Sequence, residues 1–178
     1  MSKKEIKCLR SKDGYMYCIR DREKKRFMEG IELLDAVNKK IMKLIVHLKK
    51  KYPNKSKPAS QSNIARLIRG FSSSSLREIL PCSDHVAYVT NKGEKLAVCL
   101  QKEKHESKFI EMNTLMYVLL HEISHIASKS IGHTTEFRDN FSLFLKESVA
   151  AEIYYPEDYS KSHVRYCGMT ISNNLYFD

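Results

Sequence analysis

The 178-residue sequence predicts an α+β fold, a small antiparallel or mixed sheet set against helices. Three observations carry this reading. Short β-rich runs flank two turn signals, Asp13-Gly14 and Asn91-Lys92-Gly93. Apolar residues recur at helical spacing between Glu23 and Lys51. A nearly all-apolar stretch from about Asn113 is followed by a second run at helical spacing that reaches Tyr154.

Taken in chain order, "EIKCLRSKDGYMYCIRD" alternates about Asp13-Gly14 and reads as a β-hairpin. Phe27, Ile31, Leu34, Ile41, Ile45 and Leu48 then fall three, four or seven residues apart, the spacing of a long amphipathic helix. Gly30 weakens that helix locally and Pro53 ends it. "PNKSKPASQS" (53–62) is an exposed loop, and "NIARLIRGF" a short helix stopped by Gly70. "SSSS" (72–75) is loop or a helix N-cap, followed by "LREIL" before Pro81. "HVAYVTNKGEKLAVCLQ" is the clearest pair of strands, because Asn91 and Gly93 tolerate the positive φ a tight turn requires. "EKLAVCLQ" is the candidate free edge, and "KEKHESK" a charged connector.

From Asn113, with a polar cap candidate at its start, "NTLMYVLLHEISHIASKS" predicts a buried helix through the centre, ended by Gly132. A further helix follows, with Phe137, Phe141, Phe144, Leu145 and Val149 as its core stripe. The last stretch is Tyr-rich and irregular. Neither side of the 53–62 loop looks self-sufficient, so residues 1–178 read as one domain: a basic hairpin plus helix (1–52), the loop, and a core (63–178).

Composition narrows the function classes. No apolar run approaches the ~20 residues of a membrane span, and the charged start lacks the apolar stretch of a signal peptide. An intracellular protein without a membrane is expected. Five scattered cysteines with no C-x-x-C pair argue against a disulfide framework or a cysteine zinc finger, and predict reduced thiols. Residues 1–70 hold 20 Lys and Arg against 7 Asp and Glu, whereas the remainder is mildly acidic. That asymmetry predicts a face for a polyanion such as DNA. Its candidate contacts are Lys39, Lys40, Lys43, Lys50 and Lys51 on the long helix, with Arg66 and Arg69 beyond the loop. No aromatic base reader interleaves them, so weak sequence preference is expected.

The chemistry concentrates in "HEISHIASKSIGHTTEF" (121–137). Positions i and i+4 of a helix share a face, so His121 and His125 can present two imidazoles to one ion. Glu122 is badly placed to bind that ion but well placed to hold a water beside it as general base. A catalytic zinc uses three protein ligands and one open position, giving one Zn2+ per chain. Gly132 lets the chain turn back so that His133 can supply the third ligand. Glu147, 22 residues past His125, and Glu136, one turn from His133, remain rivals for that place. The longer H-E-x-x-H-x-x-G-x-x-H pattern of metzincins is absent, since Ser128 and Ile131 stand at its Gly and last His.

"HEISH…GHTTEF" resembles the H-E-x-x-H…(G/P)-H-x-x-x-F pattern of the WLM and SprT-like metallopeptidases, over about residues 85–150. The resemblance implies a compact zincin-like fold of the minimal gluzincin type built round a buried H-E-x-x-H helix. It also implies His121, His125 and His133 as zinc ligands, Glu122 as base, and Phe137 as the residue that packs the next helix. The implied activity is cleavage of proteins bound or crosslinked to DNA, in cells or in large DNA viruses. The implied setting is cytoplasm or nucleus, or a virion or virus factory. The C-terminal ubiquitin-, SUMO- or zinc-finger-type tails of the best-known members are not expected here, and the basic N-terminal half is the expected substitute. Candidates for stabilising the oxyanion are Tyr154, Tyr155, Tyr159, His163, Arg165 and Tyr166, and Met169 reads as core packing, with the floor of the zinc site as the alternative. The rival readings are a nucleic-acid-binding module with a structural or vestigial metal, and a zinc hydrolase of small peptides or amides.

Overall fold

Alternation about Asp13 does produce a hairpin. β1 (Ile6–Arg10) pairs antiparallel with β2 (Met16–Arg20). The computed structural model describes residues 6–80, 82–106 and 108–178. The charged first five residues, Pro81 and Ser107 of the connector lie outside the described residues.

After the hairpin comes α1 (Lys24–Lys51), whose N-cap Glu23 accepts a bond from the Lys25 N–H. All six apolar residues that predict this helix are buried, joined by Val37 and Leu44. Each such side chain contributes roughly 1.5–3 kcal/mol on burial, so packing rather than intrinsic propensity holds the helix. It runs unbroken through a buried Gly30. Ser62 caps α2 (Asn63–Gly70) through its hydroxyl.

"LREIL" holds a strand. β3 (Leu76–Glu78) follows one turn of 3-10 helix and lies in the middle of a five-stranded mixed sheet, with order β1-β2-β3-β5-β4. Here β4 is Ala87–Thr90 and β5 is Lys95–Val98. β3 runs parallel to both β2 and β5, while β4 and β5 form the antiparallel hairpin. The free edge beside that hairpin is therefore β4, and "EKLAVCLQ" supplies an interior strand, contrary to expectation. A buried ion pair fastens the sheet's middle: Glu78 accepts from the Arg20 backbone N–H at 2.7 Å and pairs with the Arg22 guanidinium.

Two more helices complete the α layer. α3 (Met112–Ala127) is buried on nearly all sides and touches α1, α2, α4, β4 and β5. It ends at Ala127, five residues before the expected Gly132, where the chain leaves it into a short loop. The cap position is Glu111, and Asn113 instead bonds the backbone of Tyr155 and the Glu157 carboxylate. α4 (Thr135–Ala150) begins at the Thr134 cap and buries Phe137, Phe141, Phe144 and Leu145, while Val149 is partly buried.

The C-terminal stretch is more ordered than its composition predicts. β6 (Val164–Tyr166) and β7 (Met169–Ile171) form a second hairpin turned by Cys167 and Gly168, both at positive φ. The reduced-thiol expectation is also corrected. Cys8 pairs with Cys18 across the first hairpin, and Cys99 with Cys167, leaving Cys82 free and exposed. The second bond ties the β6–β7 hairpin to the end of β5.

Candidate metal centre

A buried helix with polar groups on one face needs somewhere to put them. On α3, that face holds His121 and His125, both half-buried, beside the buried Glu122. The chain leaves the helix at Ser128, turns at Gly132 with φ +83°, and returns His133 over the same face. The ring centroids form a near-equilateral triangle, with sides of 5.1, 4.9 and 5.1 Å. Their ligating nitrogens lie within 4.8 Å of one another, and Nε2 of His121 and of His133 are 3.1 Å apart. Phe137 underlies all three, stacked on His125 at 4.2 Å and edge-on to His121 at 4.8 Å.

The two rival carboxylates are engaged elsewhere. Glu147 accepts from Lys51 Nζ at 2.8 Å and the Tyr52 hydroxyl at 2.7 Å, and meets His47 Nε2 at 2.6 Å. It ties the end of α1 to α4. Glu136 accepts from the backbone N–H groups of Lys129 and Ser130, both at 2.9 Å. These bonds hold its carboxyl down at about 2. Among the described residues, the group that could hold a metal ion is His121, His125 and His133.

Electrostatics prepares the site for a cation. Burial, helped by the two neighbouring imidazoles, pushes His121 down to about 3. Burial, His133 and the Lys92 ammonium push His125 down to about 4. Both rings are neutral at physiological pH and keep a lone pair for a ligand. Burial alone pushes the Glu122 carboxyl up to about 7, inside the range suited to a general base.

All four groups face one cleft of about 840 Å³. Val86 to Val89, in and beside the edge strand β4, line one side, and Met169 to Asn173 the other. Of the residues proposed to steady an oxyanion, only Tyr166 reaches this cleft, and its hydroxyl already donates to the Cys99 and Val86 carbonyls. Tyr154 and Tyr159 are buried, Tyr155 and His163 are exposed, and Arg165 pairs with Glu103. Met169 is 44% exposed on the cleft wall and is no core residue. Sequence reasoning missed Tyr117 and Tyr88, which line the cleft. Tyr117 precedes His121 by four residues, so the same i, i+4 argument that paired the histidines could have found it.

Most of the basic residues singled out have partners within the fold. Lys39 pairs with Asp13 and Asp35, Lys40 donates to the Ile153 carbonyl, and Lys51 pairs with Glu147. Arg66 bonds the Ala127 carbonyl and Glu136, and Arg69 the Pro58 and Ser60 carbonyls. Lys43 and Lys50 are exposed and, among the described residues, have no such partner. No helix is long and apolar enough to cross a membrane, among the described residues.

Comparison with known proteins agrees with the motif. An uncharacterized protein of Acanthamoeba polyphaga mimivirus is 33% identical over 100 residues, covering 56% of this chain and 50% of that one. An uncharacterized protein of Invertebrate iridescent virus 3 is 32% identical over 73 residues, 41% of this chain and 45% of its own length. A third, from Invertebrate iridescent virus 6, is 28% identical over 82 residues, 46% of this chain and 44% of its own. The matches thus take in about half the length of these relatives. No solved structure matches. The WLM domain profile matches residues 39–175, a span that begins within α1 and takes in α3, the returning loop and all three imidazoles. On that match, the chain belongs to the WLM domain family.

Proposed function

We propose that this chain is a zinc-dependent endopeptidase of zincin-like architecture. The single observation that carries the reading is the convergence of three imidazoles with a buried carboxylate in one cleft. The donor set fits a divalent transition metal: three nitrogens of borderline softness lie on one side, with an open cleft on the other. A structural site would close its fourth position and has no use for a carboxylate that does not bind, which disfavours a vestigial or purely structural metal.

His121, His125 and His133 would hold the ion. Bound there, zinc would supply a Lewis acid that lowers the pKa of a water to about 7 and polarises a carbonyl. The Glu122 carboxylate takes a proton from the attacking water and returns it to the departing amide nitrogen. Phe137 restricts the imidazoles from below. An extended polypeptide would lie along β4, whose far side is free of any described strand, and add to the sheet. A cleft open along this edge favours a protein substrate over a small amide.

Proteins bound or crosslinked to DNA are the substrates we infer, on the strength of the basic charge of residues 1–70. The purified chain should carry about one zinc and cleave an unfolded protein, lose both on dialysis against a chelator, and regain both with added zinc. Absence of any transition metal after gentle purification, together with no cleavage when zinc is supplied, would overturn the reading.

A further inference from the structure

The loop that carries His133 is exposed, and exposed loops are ordinarily the mobile part of a fold. This one is fastened on both sides. From one side the Lys92 ammonium donates to three carbonyls: His125 at 3.2 Å, Ser128 at 2.7 Å and Ser130 at 2.9 Å. From the other, the Glu136 carboxylate accepts from the Lys129 and Ser130 N–H groups and from the Ser130 hydroxyl at 2.7 Å. Arg66 joins the two ends, donating to the Ala127 carbonyl at 2.6 Å and to Glu136 at 3.3 Å. A cation thus meets one carbonyl in the last turn of α3, that of its cap Ser128 and that of Ser130, and an anion meets the N–H groups of the loop.

The position of Lys92 is built in rather than incidental. It sits in the β4–β5 turn at φ +55°, between Asn91 and Gly93. That turn is pressed onto α2 and α3. A Cβ added to Gly93 would meet the Gly70 carbonyl oxygen at 2.0 Å. One added to Gly70 would meet the Lys92 oxygen at 2.5 Å and Ile126 at 2.4 Å. Two glycines therefore permit the approach that brings the ammonium over the end of the metal helix.

We propose that Lys92 and Glu136 are positioning residues, a charged clamp that holds the 128–133 loop so that the His133 imidazole is already in place over His121 and His125. The inference rests on the reading of those imidazoles as metal ligands. Neither clamp residue touches the metal in this scheme. A third ligand held in advance loses little further freedom on binding, so the clamp acts on metal affinity. Because Lys92 belongs to the hairpin whose edge strand borders the cleft, the clamp also fixes the distance between the peptide-docking edge and the metal.

The full chain, stripped of metal, tests this in two arms. In the first, amide hydrogen exchange is read at Lys129 and Ser130, which needs no metal. Protection is expected in the parent and faster exchange in Lys92→Met and Glu136→Ala. In the second, zinc affinity is read by competition with a chromophoric chelator. Both variants should bind about 10–100-fold more weakly, while Lys92→Arg, which keeps the cation, should stay near the parent. Glu136→Gln, which keeps an acceptor oxygen, is the gentler second variant should Glu136→Ala fail to fold by circular dichroism. Unchanged exchange in Lys92→Met, or faster exchange with unchanged zinc affinity, would overturn the clamp. A parent with protected amides that binds no zinc would overturn the metal reading itself, and with it the role assigned to the clamp.

Discussion

Glu122→Gln removes a charge and little else, and the structure assigns it two opposite effects. Glu122 is 6% exposed, and burial alone pushes its carboxyl from 4.5 to about 7. A carboxyl whose folded pKa is raised favours the folded state when protonated. Its stability is fully present below pH 4.5 and is lost as pH rises through 7. The shift corresponds to about 3 kcal/mol at 1.36 kcal/mol per unit. In the metal-free protein, glutamine has no charge to bury, so the variant should match the parent near pH 4.5 and exceed it by about 3 kcal/mol at pH 8.5. For a chain of this size that is roughly 6–12 °C in Tm. Peptidase activity of the zinc-loaded protein should meanwhile fall by about 10²–10⁴ as the general base is lost. Calorimetry of the chelator-treated pair at the two pH values reads the first effect, and turnover of an unfolded protein the second. Equal stability at both pH values would show that Glu122 is not a buried charge. Activity equal to the parent's would show that it is not the base.

Cys167→Ala should lower the midpoint of the oxidised protein, because the Cys99–Cys167 bond spans 68 residues and chain entropy assigns such a loop about 4 kcal/mol. With reductant present the variant and the parent should converge; a parent midpoint indifferent to reductant would restore the reduced-thiol expectation. Lys43→Glu with Lys50→Glu should weaken duplex binding and flatten its salt dependence by about 0.9 for each phosphate no longer neutralised. Cleavage of a DNA-bound protein should fall and cleavage of a free peptide should not. Equal loss on both would indicate damage to the fold, and no loss on either a solvated face.

What is legible in the sequence is what local periodicity controls. The i, i+4 pair His121 and His125, the stripe of α1, and the Asn91-Lys92-Gly93 turn each follow from a few neighbouring residues. The Cys8–Cys18 pair belongs to the same class. Both residues lie five from Asp13, so the hairpin register alone sets them opposite each other. Counting cysteines discards that signal, and placing them on the hairpin recovers it. β3 is out of reach for a different reason. Three residues are too few for alternation to show, and the strand is defined by parallel neighbours drawn from residues near 18 and near 97. With β3 unseen, nothing in the sequence says whether β4 or β5 faces the outside. The expected substrate edge consequently falls on the wrong strand of a correctly predicted hairpin.

Charge shows the same limit more sharply. The number of Lys and Arg along residues 1–70 measures the field at a distance, but not which cations are free to leave the fold. Lys39 is placed between Asp13 and Asp35, and Lys51 on the buried Glu147, so these lysines tie α1 to the first hairpin and to α4. Arg66 is engaged by the end of α3 and by Glu136. A phosphate competing for these groups would have to replace bonds that position the helices and the metal loop, whereas Lys43 and Lys50 give up only water. The long-range field of the basic half is intact whichever lysines are paired. The salt slope, by contrast, counts only the cations that meet phosphate. A slope requiring more phosphate contacts than the unpaired cations can provide would mean that DNA rearranges the ties around α1, and with them the clamp on His133.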